Sequence, residues 1–250
     1  MTRRRFYVPR DLIQEDRATL PPIQAHHLRN VLRLRTGDTV EIFDGEGCGY
    51  TGEVELRVSE VWVRALKSIP SPESPFHLTL AAALIRPAKY EWMLEKSTEL
   101  GVDEIIPLKA GHSEIRIPPQ KLESRLERWR RIVREASRQC ERFNEPRITA
   151  PLDIDEFFAS KEFVGSSKIL FYERSDELWQ LDKFISARIV LCVGPEGGWE
   201  SREIKKAVEG GFRVCGLGPR ILRAETAAIA AMAVIQHQIQ LLARFSHQVL

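Results

Sequence analysis

Two apolar runs in the last quarter of the chain break off into glycine-bearing loops, and this pairing constrains the fold more than any other feature. The first is Ile189-Val190-Leu191-Cys192-Val193, followed by Gly194-Pro195-Glu196-Gly197-Gly198-Trp199. The second ends at Cys215 and opens into Gly216-Leu217-Gly218-Pro219-Arg220-Ile221-Leu222-Arg223-Ala224-Glu225-Thr226-Ala227. Short continuous apolar runs bounded by turn signals read as buried parallel strands. Loops at the carboxyl ends of such strands are where open α/β sheets bind ligands. Gly194, Gly197 and Gly198 allow positive φ and close approach of backbone N–H groups, and Pro195 fixes one turn. A backbone cradle of this kind can read the polar edges of an adenosine. The chain has no Gly-x-x-x-x-Gly-Lys-Ser/Thr and no Gly-x-Gly-x-x-Gly after a strand, so phosphate-cradle and dinucleotide readings lose their main support.

After the second loop, Ala227 to Ile235 reads AAIAAMAVI, apolar on every face. Such a helix is expected to be enclosed by protein on all sides, and it falls short of the roughly 20 apolar residues a bilayer span needs.

These residues carry a family resemblance. GPEGG followed by LGPRILRAETA is similar to the SPOUT class, the trefoil-knotted methyltransferases that use S-adenosyl-L-methionine. Within it the chain resembles the family that methylates N3 of one uridine in bacterial 16S ribosomal RNA. The likeness extends to the Arg-Phe-Tyr-Val start, His26-His27-Leu28 with Val31-Leu32-Arg33, and Lys96-Ser97-Thr98-Glu99-Leu100-Gly101.

The resemblance implies an α/β fold, with a C-terminal knotted parallel-sheet methyltransferase domain preceded by a small β-barrel PUA-like domain. It implies S-adenosyl-L-methionine held by Tyr172, Gly194, Glu196, Gly197, Leu217, Gly218, Ile221 and Leu222, with Arg223 and Glu225 as catalytic residues. Arg5, Arg29, Arg33, Arg86, Lys89 and Arg142 are the expected RNA contacts. The implied partners are 16S rRNA within the assembled small subunit and a second copy of the chain, since related knotted enzymes are dimers. One departure stands out: the family carries Glu-Gln-x-x-Arg where this chain has Arg138-Gln139-x-x-Arg142.

A chain of 250 residues suits one large or two modest domains. The net charge of +2 announces no global attraction to nucleic acid, so any such attraction is local. Cys48, Cys140, Cys192 and Cys215 form no C-x-x-C and the histidines do not cluster, so neither a disulfide framework nor a metal site is expected. The basic N-terminus lacks an apolar stretch of signal-peptide length, which predicts a cytoplasmic protein without a membrane partner.

Taken in order, residues 1–67 form the β-rich PUA-like domain, with alternating runs at Asp38 to Asp44 and Thr51 to Lys67. Ala25 to Leu34 is a short helix with Leu28, Val31 and Leu32 inward and Arg29 and Arg33 outward; Arg3, Arg4, Arg5 and Arg10 add a second basic cluster. Both clusters suit RNA phosphates. Over these residues, eleven Lys and Arg face ten Asp and Glu, so charge alone leaves an ordinary solvated surface equally open.

Residues 68–75 (SIPSPESP) are the linker and 76–250 the methyltransferase domain. There, His77 to Leu84, Val102 to Leu108 and Lys168 to Tyr172 are strands, with Tyr172-Glu173-Arg174 a third loop at the pocket. Ala88 to Leu100 and Trp199 to Gly210 are helices, Lys96 pairs with Glu99, and Glu200 stands near a cap where Ser or Thr would cap better. Pro119 to Arg142 reads as the longest helix, packed by Leu122, Leu126, Trp129, Val133, Ala136 and Cys140.

The implied reaction is attack by a uridine N3 on a sulfonium methyl group. Arg223 would stabilise negative charge developing on the uracil, with Glu225 orienting it or acting as base. An internal salt bridge between the two is the competing reading. Glu196 would organise its loop or meet the cofactor's cationic end. A noncatalytic RNA-binding protein that keeps the fold is the alternative function, and binding of S-adenosyl-L-methionine separates the two.

Overall fold

The computed structural model describes residues 4–70, 74, 76–179 and 186–246, with side chains through residue 241. Arg3 of the N-terminal basic cluster, and Ser71, Pro72, Glu73 and Pro75 of the expected linker, lie outside the described residues. The chain forms two compact units. One is Met1–Glu73 with Arg134–Glu145, the other Ser74–Val133 with Pro146–Leu250.

The smaller unit holds β1 (Arg5–Tyr7), β2 (Arg17–Thr19), α1 (Pro22–His26), β3 (Thr39–Phe43), β4 (Gly49–Leu56) and β5 (Val61–Ile69). They make one five-stranded sheet in the order β1-β3-β4-β5-β2. Alternation puts Val40 and Ile42 of β3, Val54 of β4, and Val61 and Val63 of β5 into a core closed by Phe6, Val8, Leu20, Leu28 and Leu34. The helix begins at Pro22, earlier than the sequence pattern suggests, and widens over His27–Val31 into a π turn, where the Leu32 N–H donates to His27 O at 3.0 Å. That wider turn rotates two expected core residues outward: Leu28 is buried, whereas Val31 is 61% exposed and Leu32 is also exposed.

The larger unit opens with β6 (His77–Ala83), α2 (Pro87–Glu99) and β7 (Glu104–Lys109), a parallel crossover with Ala81 beside Ile106. Next come α3 (Pro119–Gln139), β8 (Arg147–Ile148), β9 (Leu152–Asp153), α4 (Ile154–Ala159), β10 (Ser167–Phe171) and β11 (Arg188–Val193). The described chain finishes with α5 (Ser201–Glu209), β12 (Arg213–Cys215) and α6 (Ala224–Ser246). At 23 residues α6 exceeds the 21 of α3, so the longest helix is the last one, contrary to the sequence expectation.

The strands run parallel in the order β12-β10-β11-β6-β7-β8, with β9 also on β7. Leu78, Leu80, Leu191 and Val193 face a core shared with Tyr90, Met93, Trp129, Ala228, Met232 and Ile235 of α2, α3 and α6. Ala81, Ala83, Val190 and Cys192 face the opposite core, with Phe157, Phe158, Ala207 and Phe212. Helices on both faces explain why these strands are apolar throughout.

The last helix is not enclosed on every side. Ala228, Ala231, Met232, Ile235 and Ile239 are buried, but Val234 is 42% exposed and Ala233 also faces out. Small residues let one face approach α2 closely, while the other face stays open in the single chain.

Candidate functional site

A cavity of about 400 Å³ opens at the carboxyl ends of β10, β11 and β12. Its walls are the three loops that leave those strands, together with Lys89 from the first turn of α2 and Ala224 and Ala227 from the start of α6. The volume falls within the ordinary range for a small-molecule pocket, roughly 300–1,000 Å³.

The loop after β11 is held from three sides. The buried Trp199 indole donates to Phe171 O at 2.9 Å, and the Gly198 N–H closes a turn onto Pro195 O at 3.0 Å. His112 Nδ1 lies 3.1 Å from Gly197 O. A Cβ at Gly194 would stand 2.9 Å from the Trp199 ring, and one at Gly197 would stand 2.9 Å from the His112 Cβ, so the loop requires glycine at both places. Beneath it, fully buried Glu203 accepts from the Gly111 N–H and the Glu200 N–H, both at 2.8 Å. Glu200 caps α5, and the carboxylate that returns to its N–H comes from Glu203, so the helix start needs no Ser or Thr.

The loop after β12 turns at Gly218, whose φ of +118° suits only glycine, and brings Leu217, Ile221 and Leu222 into the cavity wall. It ends at Arg223, whose carbonyl accepts the first helical hydrogen bond of α6 from Ala227, at 2.8 Å. All eight residues expected to hold the cofactor line this cavity, as do Arg223 and Lys89.

Charge is concentrated at Lys89. Its ammonium bonds the Glu196 carboxylate and lies 3.4 Å from Glu225 Oε1, so one cation from α2 spans two acids from different loops. The Glu196 hydrogen bond, reinforced by Glu225, raises the Lys89 pKa above the ordinary lysine value. Glu225 is 8% exposed, and its Oε2 is enclosed without a hydrogen-bond partner among the described residues. Glu225 pairs with Lys89, and Arg223 stands exposed at the rim, so the Arg223–Glu225 salt bridge of the competing reading is absent among the described residues.

The remaining expected RNA contacts are dispersed. Arg86 is exposed at the N-cap of α2 and outside the cavity wall. In the smaller unit, the Arg5 side chain is 6% exposed, sits 3.3 Å from Glu41 and covers the Phe143 ring at 4.5 Å. Arg142 is also buried and donates to Asn144 Oδ1 at 3.0 Å. Arg29 is spent on the carbonyls of Arg57 and Glu60, while Arg33 is exposed with φ of +53°. Arg138, in place of the family's Glu, lies over the Tyr7 ring at 5.2 Å, and burial lowers its pKa. Three site features had no signal in the sequence: Lys89 joining Glu196 to Glu225, the His112 strap, and the buried Glu203. Each links residues distant in the chain.

Among the described residues no group of His, Cys, Asp and Glu could hold a metal ion, and no helix is long and apolar enough to cross a membrane.

An RNA methyltransferase domain model matches residues 72–236, and an RNA methyltransferase PUA domain model matches residues 23–56. The chain is 34% identical over 236 residues to the ribosomal RNA small subunit methyltransferase E of Synechocystis, covering 92% of this chain and 76% of that protein. It is 30% identical over 233 residues to the protein of the same name from Bacillus subtilis, covering 88% and 89%. The crystal structure of the Neisseria gonorrhoeae ribosomal RNA small subunit methyltransferase E bound to S-adenosyl methionine superimposes with a TM-score of 0.83 at 32% identity, over 94% of this chain and 98% of that one. With the methyltransferase model spanning most of the chain and relatives aligned nearly end to end, the chain belongs to the ribosomal RNA small subunit methyltransferase E family of RNA methyltransferases.

Proposed function

We propose that this protein transfers a methyl group from S-adenosyl-L-methionine to N3 of one uridine in the 16S rRNA of the small ribosomal subunit. The observation that carries the reading is the cavity on the sheet's carboxyl edge, where glycine loops, an apolar wall and an acid pair meet an arginine at the rim.

The residues suit this cofactor. Leu217, Ile221 and Leu222 give an apolar surface for an adenine ring, and the tied-down loop at Gly194 to Gly198 offers backbone groups for its polar edges. Glu173 and Glu196 line the cavity and supply negative charge for a cationic ligand, while Glu225 stays out of the wall and is buried behind it, paired with Lys89. When bound, the sulfonium supplies an electrophilic methyl group. Arg223 at the rim would hold the uracil and offset negative charge as N3 loses its proton. Lys89 would hold Glu196 and Glu225 in place, leaving positioning to supply much of the rate. The chain path through the loop after β12 and back under α6 is read as the trefoil knot of related enzymes.

The open face of α6, with Ala233, Val234 and Leu241, is read as part of a homodimer interface, where a second copy would complete the enclosure that its sequence calls for. The unit of residues 1–73 and 134–145 acts as the RNA-holding PUA-like domain, and the unit of 74–133 and 146–250 as the methyltransferase domain; the expected bounds of 1–67, 68–75 and 76–250 miss the 134–145 segment and the end of β5 at Ile69. The protein works in the cytoplasm, on the assembled subunit.

The test is incubation with methyl-labelled S-adenosyl-L-methionine and either isolated small subunits or naked 16S rRNA, followed by mapping of the modified base. Label at N3 of a single uridine, preferentially in the assembled subunit, is expected. Absence of label together with calorimetric silence toward the cofactor would remove the reading.

A further inference from the structure

The carboxyl edge of the parallel sheet carries a second cleft. It has a volume of about 640 Å³ and lies over the ends of β6, β7 and β9, beside the ends of β10 to β12 that carry the first cavity. Leu84, Ala110 and Ile154 form its floor, and Ile115, Ile117 and Leu122 its outer wall. His112, between the cleft-lining Gly111 and Ser113, straps this segment to Gly197 and Gly198, which line the first cavity.

Its polar groups are incompletely used. Lys109 and Arg116 are exposed in its wall and have no carboxylate partner among the described residues. The Ser113 hydroxyl and Asp155 Oδ1 are enclosed and lack hydrogen-bond partners among the described residues. The charge of Asp155 is already offset, since its other oxygen lies 2.6 Å from Lys206 Nζ and 3.5 Å from Arg202. The lining sets Lys109, Arg116 and Arg202 against Asp153 and Asp155, so the cleft presents a small net positive charge, an apolar floor, one hydroxyl and one free acceptor. Ser113 and Asp155 are two of several enclosed polar side chains without partners among the described residues, and both line this one cleft, where a ligand would satisfy them.

We propose that this cleft binds a ribonucleotide of the substrate strand that flanks the target uridine. Its phosphate rests on Lys109 and Arg116, its base lies on Leu84, Ala110 and Ile154, and Ser113 and Asp155 bond the base edge or the ribose 2′-hydroxyl, the group that distinguishes RNA from DNA. The inference rests on the proposed methylation of RNA: a strand whose target nucleotide enters the first cavity continues along the same sheet edge into the second.

The experiment uses the full chain, comparing wild type with a Lys109→Ala/Arg116→Ala variant and with Ser113→Ala. The double variant changes exposed residues only, and its cofactor affinity by calorimetry reports that the fold and the first cavity are intact. Binding to a small-subunit RNA fragment is measured by filter retention across salt concentrations. The double variant is expected to bind about tenfold more weakly, with a log K against log salt slope shallower by about 1 to 2. KM for the subunit rises accordingly while kcat stays within about twofold, and 4-thiouridine placed beside the target crosslinks to residues 111–118 in wild type. Unchanged RNA affinity and salt slope in the double variant, or a crosslink map that excludes this loop, overturns the assignment. A wild type that binds RNA through these residues but transfers no methyl group would instead overturn the proposed function and leave the cleft standing.

Discussion

Lys89 and Glu225 lie 3.4 Å apart, one on the first turn of α2 and the other on the first turn of α6, and the same ammonium bonds Glu196 from the loop after β11. Three segments distant in the chain thus meet at one cation. Glu225 is the more enclosed partner, so removing the cation leaves a buried carboxylate without compensation, which costs more than the pair contributes. Lys89→Met should lower the thermal midpoint, and Lys89→Met/Glu225→Gln should recover part of the loss. The folded pKa of Lys89 is raised, so its contribution is complete below the ordinary lysine value and is lost only as pH rises through the raised one. The difference between Lys89→Met and wild type should therefore stay constant through the neutral range. A double variant no more stable than the single one would show that the pair is not coupled.

Arg223 and Gly197 separate chemistry from binding. Arg223 lines the cavity only from its exposed rim, so Arg223→Ala should reduce kcat by roughly 100-fold while weakening cofactor affinity far less than a change in the glycine loop does. Gly197→Val drives a side chain toward the His112 Cβ and shifts the cradle, so it should abolish calorimetric binding of S-adenosyl-L-methionine before it affects the overall fold. Intact methylation in both variants would move the site elsewhere.

The sheet was legible because parallel strands buried on both faces are continuous apolar runs, as in Ile189 to Val193 and His77 to Ala83. Of the five strands of two or three residues, β1, β2, β8 and β9 are too short to show a period and passed unread, whereas β12 is marked by the glycine loop that follows it. Val31 and Leu32 were misassigned because a π turn breaks the 3.6-residue spacing. The helix pair Lys96–Glu99 was readable from local spacing and forms at 2.8 Å. The cavity wall was readable for the same reason, since its residues are contiguous in three loops. Arginines in the smaller unit misled: Arg5 and Arg142 look like phosphate ligands by charge, but each is buried against Glu41 or Asn144.

Glu91 on α2 joins Arg128 at 2.6 Å and Arg125 at 3.3 Å on α3, and the Arg128 hydrogen bond holds its carboxyl below the ordinary glutamate value of 4.5. A depressed carboxyl contributes stability above its unfolded pKa and loses it as pH falls through the folded one. Glu91→Gln should therefore be less stable than wild type at neutral pH by about 1 kcal/mol or less, since the arginines are partly solvated. Urea titrations should show that gap closing as pH drops below the ordinary glutamate value. A gap that widened in acid would contradict the pairing.

The open face of α6 makes a prediction that does not depend on activity. Val234 and Leu241 are exposed one helical face away from Ala231, Ile235 and Ile239, which belong to the buried core; Val234 lies outside it, so a charge there leaves the buried core of the single chain in place. In the proposed dimer that position is covered, and an unpaired buried carboxylate costs several kcal/mol, at least about 3 by comparison with broken buried pairs. Val234→Glu should accordingly sediment as a monomer while keeping the wild-type circular dichroism, whereas the wild type sediments as a dimer at micromolar concentration. A wild-type chain that is already monomeric there, or a Val234→Glu dimer of unchanged affinity, would show that this face meets water and not a second copy.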